Sequence, residues 1–119
     1  GHVNNAKYLT YLEQARIDYS SSLWQRGTGG IGLILARVVI DYKTPLFAGD
    51  DVHIFTRSSR LGNRSFDMEQ QVARWKDDAL ELAAFATITV VVYDYDANQS
   101  TPIPPAWRER IEAYEGRAL

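Results

Sequence analysis

Cysteine is absent from the 119-residue sequence, histidine occurs twice and methionine once. The missing thiols exclude disulfides, thiolate nucleophiles and cysteine-bound metal, and His2 and His53 alone make too small a donor set, so no metal and no cofactor is expected. No apolar run approaches the ~20 residues of a membrane-spanning helix, and the polar opening residues predict no secretory leader. Neither sign of charge dominates: 13 basic and 15 acidic residues leave −2. No global positive field would then draw the protein to nucleic acid or an anionic membrane, and an anionic ligand must be met by a local cluster. Repeats, linkers and low-complexity tracts are also missing, which predicts one domain with one core in a cytoplasmic enzyme or binding protein.

What is present is a change of period along the chain. From about Asn5 to Arg26, apolar residues recur at Tyr8, Leu12, Ala15, Tyr19 and Leu23, the spacing of one face of a long helix. Gly27, Gly29 and Gly30 then offer the left-handed geometry of a helix end. Ile34, Ala36, Val38, Ile40 and Tyr42 next alternate with Leu35, Arg37, Val39 and Asp41, the period of a strand. Thr44-Pro45 and Gly49-Asp50 break the chain before a second alternation at Val52, Ile54, Thr56 and Ser58. A Gly62-Asn63 hairpin leads to a third at Phe66, Met68, Gln70 and Val72. The valine-rich stretch from Leu82 to Tyr95 is apolar on both faces, as a central strand is. Pro102 and Pro104 stop it, and a short helix starts near Pro105 with Trp107, Ile111 and Tyr114 on one face. The expected class is α+β: four consecutive strands pairing as an antiparallel meander, wrapped around the long first helix.

Chemistry concentrates at the start, where Gly1-His2-Val3-Asn4-Asn5 meets a helix N-terminus. Unpaired backbone N–H groups and the positive end of the helix dipole can hold an anion or an oxyanion there. Residue type alone favours plain N-capping by Asn4 or Asn5. Glu13 lies about 12 Å along the helix from Asn5, too far to share its chemistry, and is expected to pair with Arg16. Arg57, Arg60 and Arg64 flank the Gly62-Asn63 turn as a basic cluster. Arg74 and Lys76 form a second, offset by Asp77 and Asp78. His53 reads as a hydrogen-bonded structural histidine, and Asp50 as a turn former. Asp50 and Asp51 point to opposite faces, so they cannot form one carboxylate pair.

Gly1-His2-Val3-Asn4-Asn5-Ala6-Lys7-Tyr8, followed by Tyr11-Leu12-Glu13-Gln14-Ala15-Arg16, closely resembles the signature of hot-dog-fold acyl thioesterases of the 4-hydroxybenzoyl-CoA thioesterase type. His2-Val3-Asn4-Asn5 is also similar to the acyl-carrier-protein thioesterase motif. Asp41-Tyr42-Lys43-Thr44-Pro45, Gly49-Asp50-Asp51-Val52, Arg60-Leu61-Gly62-Asn63-Arg64-Ser65-Phe66 and Ile103-Pro104-Pro105 resemble later family landmarks in order. The resemblance implies a hot-dog fold and hydrolysis of acyl-CoA to a carboxylic acid and CoA, without a cofactor. It implies the Asn5 N–H as oxyanion donor, His2 as the group that orients or activates water, and Arg60, Asn63 and Arg64 at the nucleotide end of CoA. Tyr8 and Tyr11 would line the acyl tunnel, in the seam of a homodimer or homotetramer. The family's catalytic aspartate and first strand fall ahead of Gly1, so residues 1–119 are expected to be one hot-dog domain lacking that strand. Three alternatives stay open: a carrier-protein thioesterase, a non-catalytic acyl-binding member, and a hydratase on the same fold.

Overall fold

The computed structural model describes residues 1–23 and 30–119, with the side chains of Ser22 and Leu23 outside the description. Helix α1 runs Asn5–Leu23 and presents the expected stripe to the interior: Tyr8, Leu12 and Tyr19 are buried. The expected continuation to Arg26 and the stop at Gly27 and Gly29 lie outside the described residues. Gly30 belongs to the turn before the first strand, its carbonyl accepting from the Tyr95 N–H at 2.8 Å.

The strands are β1 (Ile31–Tyr42), β2 (Asp51–Leu61), β3 (Ser65–Lys76), β4 (Ala79–Asp94) and β5 (Gln99–Ser100), followed by helix α2 (Pro105–Glu115). The first four lie in the order β1-β4-β3-β2, all antiparallel, and β5 adds to β4. Only β2, β3 and β4 form the expected meander. β1 pairs with β4 rather than with its sequence neighbour β2, because residues 43–50 form a crossover instead of a hairpin turn. β4 is central as expected, with β1 on one side and β3 on the other.

The period-two pattern settles the two faces. Phe66, Met68, Gln70 and Val72 of β3 and Ala84, Ala86, Ile88, Val90 and Val92 of β4 are buried on the face that α1 covers. β1 does not keep one phase. A register shift between Leu35 and Arg37 puts Ile34 on the opposite face from Val38, and the inner row runs Leu33, Leu35 and Val38, opposite Val92, Val90 and Ile88. A β-bulge supplies such a shift by adding one unpaired residue. Among the described exposed apolar residues, Phe55, Trp75, Leu80 and Leu82 share the outer face. Close approach explains Gly32: a Cβ there would lie 2.9 Å from the Tyr95 ring.

Polar contacts fix the helices on the inner face. Gln70, fully buried, donates to the Leu12 carbonyl at 3.0 Å and to Thr56 Oγ1 at 3.1 Å, and accepts from Arg16 Nη1 at 3.0 Å. Arg16 therefore bonds across to the sheet rather than pairing with Glu13 along the helix. Burial lowers its pKa, and the charge of Glu13 opposes that shift. Helix α2 buries Trp107 and Ile111 while Tyr114 stays exposed and stacks edge-on against Tyr19 at 5.3 Å. Glu115 accepts from Tyr19 Oη at 2.7 Å and from the Ser58 N–H at 2.8 Å. Removing that carboxylate leaves the Ser58 N–H without its acceptor, while Tyr19 Oη keeps its bond with Ser58 Oγ at 2.8 Å. Glu115→Ala is expected to lower stability by about 1–3 kcal/mol, read as an earlier urea midpoint at unchanged slope; an unchanged midpoint would contradict the latch.

Candidate active site at the first turn of α1

Asn4 caps α1, its Oδ1 accepting from the Ala6 N–H at 2.9 Å. Asn5 is then the first helical residue, and among the described residues no group accepts from its N–H. Unpaired donors of this kind, at the positive end of the dipole, suit developing negative charge. The segment ahead of the helix is held as a short strand-like pair. Val3 N–H donates to the Leu46 carbonyl at 2.6 Å, and His2 bridges antiparallel to Phe47.

A cleft of about 290 Å³ opens at this end of the helix, lined by His2, Asn5, Tyr8, Tyr42, Lys43 and Thr44 among others. Among the described residues no carboxylate lines it. Tyr8 is buried, stacks edge-on against Tyr42 at 5.1 Å and lies 6.5 Å from the Tyr11 ring. Burial raises the pKa of Tyr8, although the Leu46 backbone group works the other way, so its phenol stays neutral in the working pH range. Tyr42 Oη comes within 3.4 Å of the Asn5 carbonyl. Tyr11 is half-buried, while Leu12 is core.

The crossover supplies the floor. Lys43 and Thr44 N–H groups both reach the Ala83 carbonyl, at 2.7 and 3.1 Å, and Leu46 is fully buried beneath the first helical turn. Asp50 forms the turn expected of it: its Oδ2 accepts from the Phe47 N–H at 2.8 Å, and Gly49 takes a φ of 91°. Arg74 is not part of a surface cluster with Lys76. It is buried, and its partners are Asp50 at 3.3 Å, Glu81 at 3.1 Å and the Pro45 carbonyl at 3.4 Å, not Asp77 or Asp78. The residues that form the floor were missed from sequence because a crossover and a hairpin share the same Pro and Gly signals.

The second group of expected site residues sits elsewhere. Tyr42 pairs with Ala84 of β4 and the Arg64 carbonyl accepts from the Val92 N–H, so Arg64 lies eight residues further along β4, roughly 26 Å from the cleft. Arg60 Nε bonds Asp67 at 3.0 Å, and Arg57 pairs with Glu69. Arg64 Nη1 donates to the Ser100 carbonyl at 2.6 Å, and the Asn63 carbonyl accepts from the Ile103 N–H at 2.8 Å. Arg60, Asn63 and Arg64 are thus together, but apart from His2, Asn5 and Tyr8. His53 lies on the outer face, 3.2 Å from Asp51. Asp51 and Asp50 have separate partners, as their opposite faces require.

A helix laid across an antiparallel sheet, with its N-terminus over a crossover floor, defines the hot-dog fold. The thioesterase-like superfamily model matches residues 1–111, and the chain belongs to that family. Long-chain acyl-CoA thioesterase FadM of Escherichia coli (strain K12) is 27% identical over 114 residues, covering 93% of this chain and 85% of FadM. A thioesterase from Thermus thermophilus, complexed with coenzyme A and Zn, is 37% identical with a TM-score of 0.85, covering 100% of this chain and 85% of its own. The fold, though not more, is shared with a mutant 4-hydroxybenzoyl-CoA thioesterase complexed with 4-hydroxybenzoyl-CoA, at 18% identity and a TM-score of 0.86 over 93% of this chain and 86% of that one.

Asp50 gives the floor a pH signature. The Phe47 N–H first, and Arg74 second, hold its carboxyl below the usual carboxylate value. Its contribution is present in full above an unfolded pKa of about 3.9 and is lost as pH falls through the lower folded value. Between about pH 6 and pH 2, the urea midpoint of Asp50→Asn should start lower than wild type and fall less steeply. Parallel acid limbs would contradict this.

Proposed function

We propose that the cleft at the first turn of α1 is where this chain hydrolyses acyl-CoA thioesters to a free carboxylic acid and CoA. The observation that carries the reading is the Asn5 N–H, opening beside His2 at the positive end of the helix. The thioester carbonyl oxygen accepts from that N–H, which stabilises the charge it gains as the carbonyl carbon becomes tetrahedral. His2 orients the attacking water and takes its proton, since histidine is the side chain suited to proton transfer near neutral pH. Collapse of the intermediate breaks the C–S bond, and the thiolate of CoA leaves and is protonated. FadM and the Thermus protein, an acyl-CoA thioesterase and a thioesterase complexed with coenzyme A, support the choice of substrate.

Residues 1–119 work as a single hot-dog domain in this reading. Tyr8 and Tyr11 border the acyl group, while Arg60, Asn63 and Arg64 meet the phosphates of CoA. The distance between the two groups fits a long substrate crossing a seam between copies. β1 supports a homodimer: it is an edge strand with Leu35, Val39 and Tyr42 more than two-fifths exposed, and a symmetric partner would cover it. The outer-face residues Phe55, Trp75 and Leu80 fit a further contact that makes a homotetramer. Among the described residues no helix is long and apolar enough to cross a membrane, which is compatible with work in the cytoplasm. A second reading, an acyl group carried on acyl carrier protein, is favoured by His2 in the cleft.

Thiol release from a panel of aromatic and short-to-long aliphatic acyl-CoAs tests the proposal, and the absence of cysteine leaves the thiol reagent no protein background. Turnover should favour one acyl class, and His2→Ala should lower kcat by about 10²–10⁴-fold. No release from any acyl-CoA, with release from an acyl carrier protein thioester, would move the activity to the second reading; no release from either would remove it.

A further inference from the structure

We infer that Arg74 is a positioning residue for the cleft, acting through the crossover rather than on substrate; the inference rests on the activity proposed above. Arg74 projects from β3 on the inner face, with its side chain 8% exposed. Its guanidinium grips the crossover at both ends. Nη1 lies within 3.4 Å of the Pro45 carbonyl and 3.3 Å of Asp50 Oδ2, while Nη2 bonds Glu81 of β4 at 3.1 Å. Asp50 passes the constraint on, because the same Oδ2 accepts from the Phe47 N–H and its own N–H returns to the Phe47 carbonyl at 3.1 Å. Leu46 and Phe47, between these anchors, hold Val3 and His2. One buried cation therefore fixes the backbone that carries both His2 and the entry to Asn5.

Fold stability alone is a poor reason for this arrangement. Arg74 Nε is buried without a hydrogen-bond partner among the described residues, and replacing every member of a buried ion pair by well-packed apolar residues is often neutral for stability. An apolar side chain, however, cannot hold Pro45 and Asp50 at once. A planar fork of donors can, and lysine offers only a single ammonium in its place. Misplacing a reacting group by about 1 Å can lower a rate a hundredfold, so the clamp should be visible in turnover wherever the variants remain folded.

The experiment compares wild type with Arg74→Met, Arg74→Lys and Asp50→Asn, measuring kcat and KM on the best acyl-CoA and hydrogen exchange of the Val3 amide, at a temperature where circular dichroism shows every variant folded. Arg74→Met should lower kcat by about tenfold to a hundredfold with little change in KM, and Asp50→Asn should act in the same direction. Arg74→Lys should recover part of the loss. The Val3 amide should exchange faster in Arg74→Met while the β3 and β4 amides keep their protection. Arg74→Met with wild-type kcat, or with lower kcat but unchanged Val3 exchange, would overturn the inference while leaving the activity standing. A wild-type protein that hydrolyses no acyl-CoA would instead overturn the activity, and the inference with it.

Discussion

The crossover from β1 to β2 is the constraint from which the rest of the site follows. These strands are consecutive in the chain but lie at opposite edges of the order β1-β4-β3-β2. Residues 43–50 must therefore span three strand spacings, roughly 14 Å, across the ends of β4 and β3. Most of this segment is exposed, but Leu46 at its centre is buried, and buried backbone polar groups need partners. Here the Ala83 carbonyl takes two N–H groups at the start, the Val3 N–H takes the Leu46 carbonyl in the middle, and Asp50 takes the Phe47 N–H at the end. One of these bonds, from the Val3 N–H to the Leu46 carbonyl, also places the segment ahead of α1.

The electrostatics of the site follow from where these elements meet. The Phe47 N–H, with Arg74 beneath the floor, keeps Asp50 ionised. Burial works against the charge of Arg74, and Asp50 and Glu81 outweigh it, so the guanidinium stays cationic. One guanidinium here faces two carboxylates. The cleft above is lined by neutral groups together with His2 and the Lys43 cation, and the positive end of the helix adds to that field. Burial keeps the Tyr8 phenol neutral, so the wall beneath Tyr42 does not acquire a charge that would repel an oxyanion. Further along the same helix, Gln70 ties the Leu12 carbonyl to the sheet and stops α1 from sliding over it.

Much of this was legible in the sequence. The 3.6-residue spacing of Tyr8, Leu12 and Tyr19 located the buried face of α1, and the alternations beginning at Val52 and Phe66 marked the inner faces of β2 and β3. The valine-rich stretch identified β4 as central. The pairing of β1 was not legible, because period-two alternation says which face a residue takes and nothing about which strand lies beside it. The bulge after Leu35 escaped for a related reason: Ala36 fits either phase. Arg74 resembled a surface cation because its neighbours in sequence are Trp75, Lys76 and two aspartates, whereas its real partners, Asp50 and Glu81, are brought to it by the crossover and by β4. The N-terminal motif marked His2 and Asn5, and their meeting in one cleft became visible only once Leu46 and Phe47 were seen to hold the segment before the helix.

Asn5→Pro isolates the one donor on which the chemistry is argued to turn. Proline is well tolerated at the first position of a helix, where it removes the N–H and leaves the helix and its Asn4 cap in place. Thiol release from the preferred acyl-CoA, measured beside a thermal unfolding curve, should show kcat reduced by about 10²–10³-fold with the unfolding midpoint close to that of wild type. Unreduced kcat in a folded Asn5→Pro protein would contradict the assignment of the oxyanion to the first turn of α1.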